Sequence, residues 1–217
     1  MTNGKKHRPN LSEIAYEEIK EMILFGELAQ GERILLDEMS AHLNLSITPI
    51  REALNILAQE DLICITPRTS HEVVCLSSKD AEDILELRLL LETFALQTSG
   101  DNLSQFPIQL FREMFQKPYS IQSYKDFVEA DVRFHQSIIA TSNNKKLGKL
   151  YSYIYNFVRI LLIPAAKIEG RIKMSLKEHL AILDAIETQD VDLALKRLTS
   201  HIRNMESALL QVCKKDA

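Results

Sequence analysis

The sequence predicts a mainly α-helical chain in two parts. Three observations predict it. Only 6 Gly and 6 Pro in 217 residues leave little material for the turns of an all-β fold. Apolar residues recur every three or four positions over most of the chain, the period of a helix with one buried face. One stretch departs from that period: "LICITPRTSHEVVCL" at 62–76 has two β-rich runs around a turn, and it separates three short helical segments from a long helical one. A hydrophobic fraction of 46% is enough to bury a core in each part.

Residues 11–25 place Ile14, Ala15, Ile19, Met22 and Ile23 on one helical face, and Gly26 follows as a stop. A second helix covers 36–43, with Leu36, Met39 and Leu43 inward. After the turn "NLS", a third runs over 46–59, with Thr48 as cap, Pro49 at its first position and Ile50, Leu54 and Leu57 inward. Runs 62–66 and 71–76 form a hairpin; a loop at "TS" would set Cys64 opposite Cys75. Three helices and a hairpin make a winged helix-turn-helix over 1–76. From 77 to 217 six helices follow, at 78–98, 105–116, 122–141, 145–163, 171–188 and 190–213. Ser78 caps the first and Asp190 the last.

The composition narrows the functional classes. No apolar run reaches membrane-spanning length, and "MTNGKKHRPN" leads into no signal-type apolar region, so a cytoplasmic protein is expected. Three cysteines, Cys64, Cys75 and Cys213, are an odd number without metal-type spacing, and no structural disulfide is expected. The net charge is −4. Residues 1–76 carry seven Lys and Arg against twelve Asp and Glu, a net −5. Contact with nucleic acid therefore has to come from a few placed groups and from the basic start Lys5, Lys6 and Arg8.

Those groups cluster at the third helix. A helix reads the major groove with its N-terminal side chains, here Ser46, Ile47, Thr48, Pro49 and Arg51. Ser46 and Thr48 can bond phosphates or bases. Arg51 can hold a guanine in two-pronged fashion or clamp a phosphate, and Ile47 can touch a thymine methyl. Arg68 and His71 in the wing are candidates for phosphate or minor-groove contact. The alternative is a small helical domain with Arg51 paired locally or in solvent.

The second part carries polar residues on apolar stripes. Asp131 and His135 share a face at i and i+4, among Phe127, Phe134 and Ile138. His179 lies between Leu176 and Leu183, and His201 between Leu198 and Met205, each at helical spacing. A buried carboxylate needs a partner, and Asp with three His is a set that binds zinc, nickel, manganese or iron. Each His taken singly could instead be a satisfied core residue. Arg88 also faces inward, with Ala81, Ile84, Leu91 and Ala95. It either pairs with Glu92 one turn on or faces the metal cavity and holds a carboxylate.

"GERILLDEMSAHLNLSITPIREALNILAQEDLI" resembles the winged-helix domain of GntR-type transcriptional regulators, with "P-x-REAL-x-x-L" as its most specific part. "DVRFHQSIIATSNN", "EHLAILDAI" and "HIRN" resemble the metal-bearing segments of the FadR-type subfamily with its all-helical FCD effector domain, and "ELRLLLETFAL" resembles that domain's opening helix. The likeness covers nearly all of 11–212. It implies a homodimeric regulator, a repressor by default, that binds a double-stranded DNA operator. It places the metal ligands on Asp131, His135, His179 and His201, with zinc first among the metals, and puts Arg88 beside a small carboxylate effector. Six effector helices match the VanR-like branch. Two departures stand out: Ile47 where many members have Arg, and Ser70 where many have Gly. Other readings left open are a metal-dependent hydrolase, a regulator whose signal is the metal itself, and a purely structural metal.

Overall fold

The computed structural model describes residues 10–66, 70–116 and 124–213. The chain divides into two compact units between Cys75 and Leu76. The basic start Lys5–Arg8 and Arg68 lie outside the described residues.

The first unit holds α1 (Leu11–Leu24), α2 (Leu36–Leu43), α3 (Ile47–Gln59), β1 (Ile63–Thr66) and β2 (Ser70–Val73). Asn10 opens α1 with a reciprocal cap: its side chain takes the Glu13 N–H, and the Glu13 carboxylate takes the Asn10 N–H. Gly26, at φ +69°, closes the helix. Its N–H bonds Ile23 O and the next N–H bonds Met22 O, the pair that satisfies a helix's last carbonyls. Ala15, Ile19 and Ile23 of α1 meet Ile50, Leu54 and Leu57 of α3 in the core. Each such Leu or Ile contributes about 1.5–3 kcal/mol by leaving water. Ile14 does not join them; it is 39% exposed, at the edge of the apolar stripe. Polar bonds fix α1 on α3 as well. Ser12 donates to Glu52, and Glu60 accepts from Tyr16 at 2.6 Å and from Lys20 at 2.7 Å.

The start of α3 differs from the expectation. Ser46, in extended conformation, is the cap residue, and Ile47 is already helical. Pro49 therefore stands third in the helix, still within the first turn, where its missing N–H costs no bond. Thr48 is not the cap. The hairpin register differs too. Cys64 pairs with Glu72 and Thr66 with Ser70, so Cys75 is not opposite Cys64. Ser70 is already part of β2, paired with Thr66, so no two-residue "TS" loop joins the strands. A third segment extends the wing: Gly31 N–H bonds Val73 O, Ile34 N–H bonds His71 O, and Val73 N–H bonds Glu32 O.

The second unit is all α: α4 (Ser78–Gln97), a 3-10 turn (Gly100–Gln105), α5 (Ile108–Gln116), α6 (Tyr124–Thr141), α7 (Lys145–Ala166), α8 (Arg171–Glu187) and α9 (Val191–Cys213). Ser77, not Ser78, caps α4 in a reciprocal pair with Asp80. Asp190 caps α9 through Leu193 N–H at 2.9 Å. The second helix of the bundle begins at Ile108 rather than 105. Phe106 precedes a proline and is extended, which separates the 3-10 turn from α5. Helix α7 runs through Pro164 to Ala166, since a proline in the last turn removes one bond without ending the helix. In the bundle, α4 packs on α6, α7 and α9, and α8 packs on α9 and α5. Phe106, Phe111, Phe115 and Phe134 form one aromatic cluster, with ring centres 5.3–6.0 Å apart.

Candidate functional site

The bundle brings its four predicted metal ligands together. Asp131 and His135 come from α6, His179 from α8 and His201 from α9. All four are at most 1% exposed, and one ligand atom from each lies within 4.8 Å of the others. His179 Nε2 is the hub: 3.2 Å from His201 Nε2, 3.3 Å from His135 Nε2 and 3.2 Å from Asp131 Oδ1. Phe115 and Phe134 flank the His179 ring at 4.7 and 4.9 Å and keep that side apolar.

The outward ring nitrogens decide what the inward ones can do. His135 Nδ1 faces Glu92 Oε2 at 2.6 Å, and His201 Nδ1 faces Glu178 Oε2 at 2.7 Å. A carboxylate there accepts a hydrogen bond from the ring Nδ1–H, so Nε2 of both rings turns a lone pair to the centre. His179 Nε2 can carry one proton at most, yet it faces two such lone pairs and a carboxylate oxygen. Asp131 Oδ1 makes no hydrogen bond among the described residues. One proton cannot satisfy three acceptors; a divalent cation can. A tetrahedral ion at about 2.0–2.1 Å from nitrogen also holds its donors about 3.3 Å apart. The donor set and the three distances at His179 are compatible with a metal, while His135 Nε2 and Asp131 Oδ1 stand wider, at 3.9 Å.

Two carboxylates support the rings, and each is held in turn. Glu92, fully buried on α4, accepts from Arg88 Nε at 2.8 Å and Tyr151 Oη at 2.7 Å. Burial would raise its pKa, but His135 and Arg88 outweigh that and hold it down to about 2. Glu178 accepts from Arg171 through both guanidinium nitrogens, at 3.1 and 2.9 Å, and from Asn204 at 2.9 Å. Burial opposes its ionisation, while bonds to His201 and Arg171 prevail and lower it to about 2. Asp131 is likewise held well below the carboxylate range: burial works against this, and His135 and His179 overcome it. Burial, then the neighbouring His179, pushes His201 down to about 3. Burial lowers His179 too, against the pull of Asp131. Sequence reasoning missed Glu178, Tyr151 and Arg171. It saw Glu92 only as a partner for Arg88, because its link to His135 exists only once α4 packs on α6.

Arg88 takes the first of its two expected roles, the pairing with Glu92. Its Nε pairs with Glu92, as i and i+4 spacing allows, and its Nη1 donates to Met205 Sδ at 3.3 Å. Its Nη2, fully buried, has no hydrogen-bond partner among the described residues and lies 3.7 Å from Asp131 Oδ2.

In the first unit, Ser46, Ile47, Thr48 and Arg51 are exposed at the start of α3, and Ile47 is 37% exposed. Pro49 is buried, so it sets the helix start and does not face outward. Arg51 and His71 line one groove of about 490 Å³, together with Arg33, which the sequence reading did not single out. The two groups feel one another: burial first, then Arg51, lowers the His71 pKa. Arg68 lies outside the described residues.

A helix with an exposed start and a two-stranded hairpin form the first unit, and a helical bundle with a buried Asp and His centre forms the second. The chain matches the gntR family of bacterial regulatory proteins over residues 11–73 and the FCD domain over residues 83–204. It belongs to the GntR family and carries an FCD effector domain. It is 29% identical over 198 residues to the gluconate operon transcriptional repressor of Bacillus licheniformis, covering 87% of this chain and 81% of that one. Its fold is similar to that of a GntR transcriptional regulator from Rhodococcus sp. RHA1, with TM-score 0.78 and 17% identity over 92% of this chain and 97% of that one. The Zn2+-bound FCD domain of TM0439 matches with TM-score 0.55 and 20% identity, over 63% of this chain and 96% of that one. Such relatives are regulators rather than enzymes, consistent with a non-catalytic role, and the hydrolase reading is set aside. No helix among the described residues is long and apolar enough to cross a membrane.

Proposed function

We propose that this DNA-binding regulator is a homodimeric, cytoplasmic repressor of the VanR-like branch that senses a small carboxylate through a metal. The observation that carries the reading is the convergence of Asp131, His135, His179 and His201 beside Arg88 Nη2, which makes no hydrogen bond among the described residues. Asp131 and the three imidazoles would hold a divalent ion, zinc first. Glu92 and Glu178 keep the His135 and His201 rings in the tautomer and orientation that binding needs. When bound, the metal supplies a Lewis-acid anchor for one carboxylate oxygen. Arg88 offers the charged donor for the other, and the phenylalanine cluster keeps water away.

The DNA end of the reading rests on α3. Ser46, Ile47, Thr48 and Arg51 stand at its exposed start, with His71 in the adjoining groove and Arg68 assigned to the wing by sequence alone. A dimer presents two such helices to two half-sites of a double-stranded operator. An acid that binds one arrangement of the dimer more tightly than another shifts the population between them, and operator affinity falls.

The test is metal analysis of purified protein together with that of Asp131→Asn and His179→Gln. Near one divalent ion per chain in the parent and a marked loss in both variants is the expected result. Equal metal content in all three would sink the assignment of the ligands.

A further inference from the structure

The cations of the first unit are not spread evenly. Among its described residues three are Lys or Arg: Lys20, Arg33 and Arg51. Lys20 is engaged where α1 meets α3, bonded to Glu60 at 2.7 Å and to Tyr16 at 2.6 Å. The other two, one from the segment before α2 and one from α3, line a single groove of about 490 Å³. His71 of β2 stands with them, and Thr66 and Ser70, paired at the end of the hairpin, add two hydroxyls. None of the described residues lining the groove is acidic. Glu72, bridged to Arg33 through the backbone, does not line it.

Residues 1–76 hold seven Lys and Arg against twelve Asp and Glu, so an acid-free groove with two arginines is a local reversal of charge. Such a groove is complementary to a polyanion. Guanidinium groups and hydroxyls are donors that bind phosphate oxygens. Arg51 lies one turn beyond Ile47 on α3, and the groove extends from it to the hairpin. A major groove about 12 Å wide is filled by one helix, so side chains beside that helix meet the phosphates at the groove edge.

We propose that this groove seats the sugar–phosphate backbone of one operator strand, with Arg33 and Arg51 each on a phosphate. The inference rests on the DNA-binding reading of α3 and divides the work within it. Arg51 fixes register, and discrimination between bases falls to Ser46, Ile47 and Thr48. Arg33, outside the reading helix, is a DNA contact in its own right.

The test measures the anisotropy of two labelled duplexes between about 0.05 and 0.2 M salt, one recovered by the parent from a random pool and one unrelated to it. Parent, Arg33→Ala, Arg33→Lys and Arg51→Ala are compared, and each variant is passed through the same selection. Melting temperature confirms that each is folded. Each alanine variant should lose about eightfold in affinity at about 0.1 M salt on both duplexes, and about 0.9 in the slope of log affinity against log salt, as the loss of one phosphate contact requires. Both should recover the parent's consensus, and Arg33→Lys, which keeps the charge, should keep the parent's slope. A parent-like slope in Arg33→Ala, or a new consensus from Arg51→Ala, would overturn this inference and leave α3 as the reading helix. A parent that enriches no duplex would overturn the DNA-binding reading of α3 as well.

Discussion

His135 Nδ1 lies 2.6 Å from Glu92 Oε2, and that contact decides which nitrogen of the ring faces the centre. The same carboxylate accepts from Arg88 and Tyr151, so α4, α6 and α7 meet on one side chain. Helix packing and ligand tautomer are thereby linked at Glu92.

Glu92→Gln keeps the shape but replaces the charged acceptor. Loss of a carboxylate behind a metal-bound imidazole typically costs about 10–100-fold in metal affinity. A fall in that range is expected in competition against a chromophoric chelator. Parent-like affinity in a folded variant would show that Glu92 does not act through His135.

Acid should weaken the metal-free bundle. His201 titrates at about 3 in the folded chain against an ordinary value of 6.5. Between those values the unfolded chain takes up a proton that the folded chain does not, so stability drops as pH falls from 6.5 toward 3. Glu92 and Glu178, at about 2 against an ordinary 4.5, add to the loss below pH 4.5. The melting temperature of chelator-treated protein should decline from pH 7 to pH 5. A flat profile over that interval would contradict the burial of a neutral His201.

Arg51→Ala removes an exposed cation at the start of α3, in a groove shared with His71. A lost contact of Arg with a base or phosphate costs about 1–3 kcal/mol, about 5–150-fold in affinity. Gel shifts should weaken by at least that much, with metal content unchanged. Near-normal shifts would remove α3 from the interface.

Ile47→Arg restores a cation at a position that is 37% exposed. It should change which sequence is enriched when random duplexes are selected on the protein. Identical selected sequences would mean that position 47 reads nothing.

The salt dependence of DNA binding should be shallow. Residues 1–76 carry a net −5, and each neutralised phosphate adds about 0.9 to the slope of log affinity against log salt. A steep slope would point to Lys5, Lys6 and Arg8.

Much of this was legible in the sequence, for a physical reason. Asp131, His135, His179 and His201 each interrupt an apolar stripe, and a polar residue on a buried face needs a partner. The helices themselves follow from the same period. What escaped notice depends on packing between elements. Glu178 neighbours His179 in sequence and reads as a solvated acid, yet it meets His201 of α9 and Arg171 a full seven residues back. Segment 31–34 reads as loop because its bonds go to β2 and not to its neighbours. The hairpin register slipped because loop length, not strand composition, sets it. The true cap at Ser46 was masked by Thr48, an equally good capping residue two positions on.

The central claim is that an acid held at the bundle's metal controls operator affinity. Its most direct test is the fluorescence anisotropy of a selected operator duplex with the zinc-loaded protein, titrated with acetate, lactate, citrate and gluconate in turn and repeated with Asp131→Asn. Operator affinity should fall at least tenfold in the parent and stay unchanged in the variant. An equal fall in both, or none in the parent at saturating acid, would contradict it.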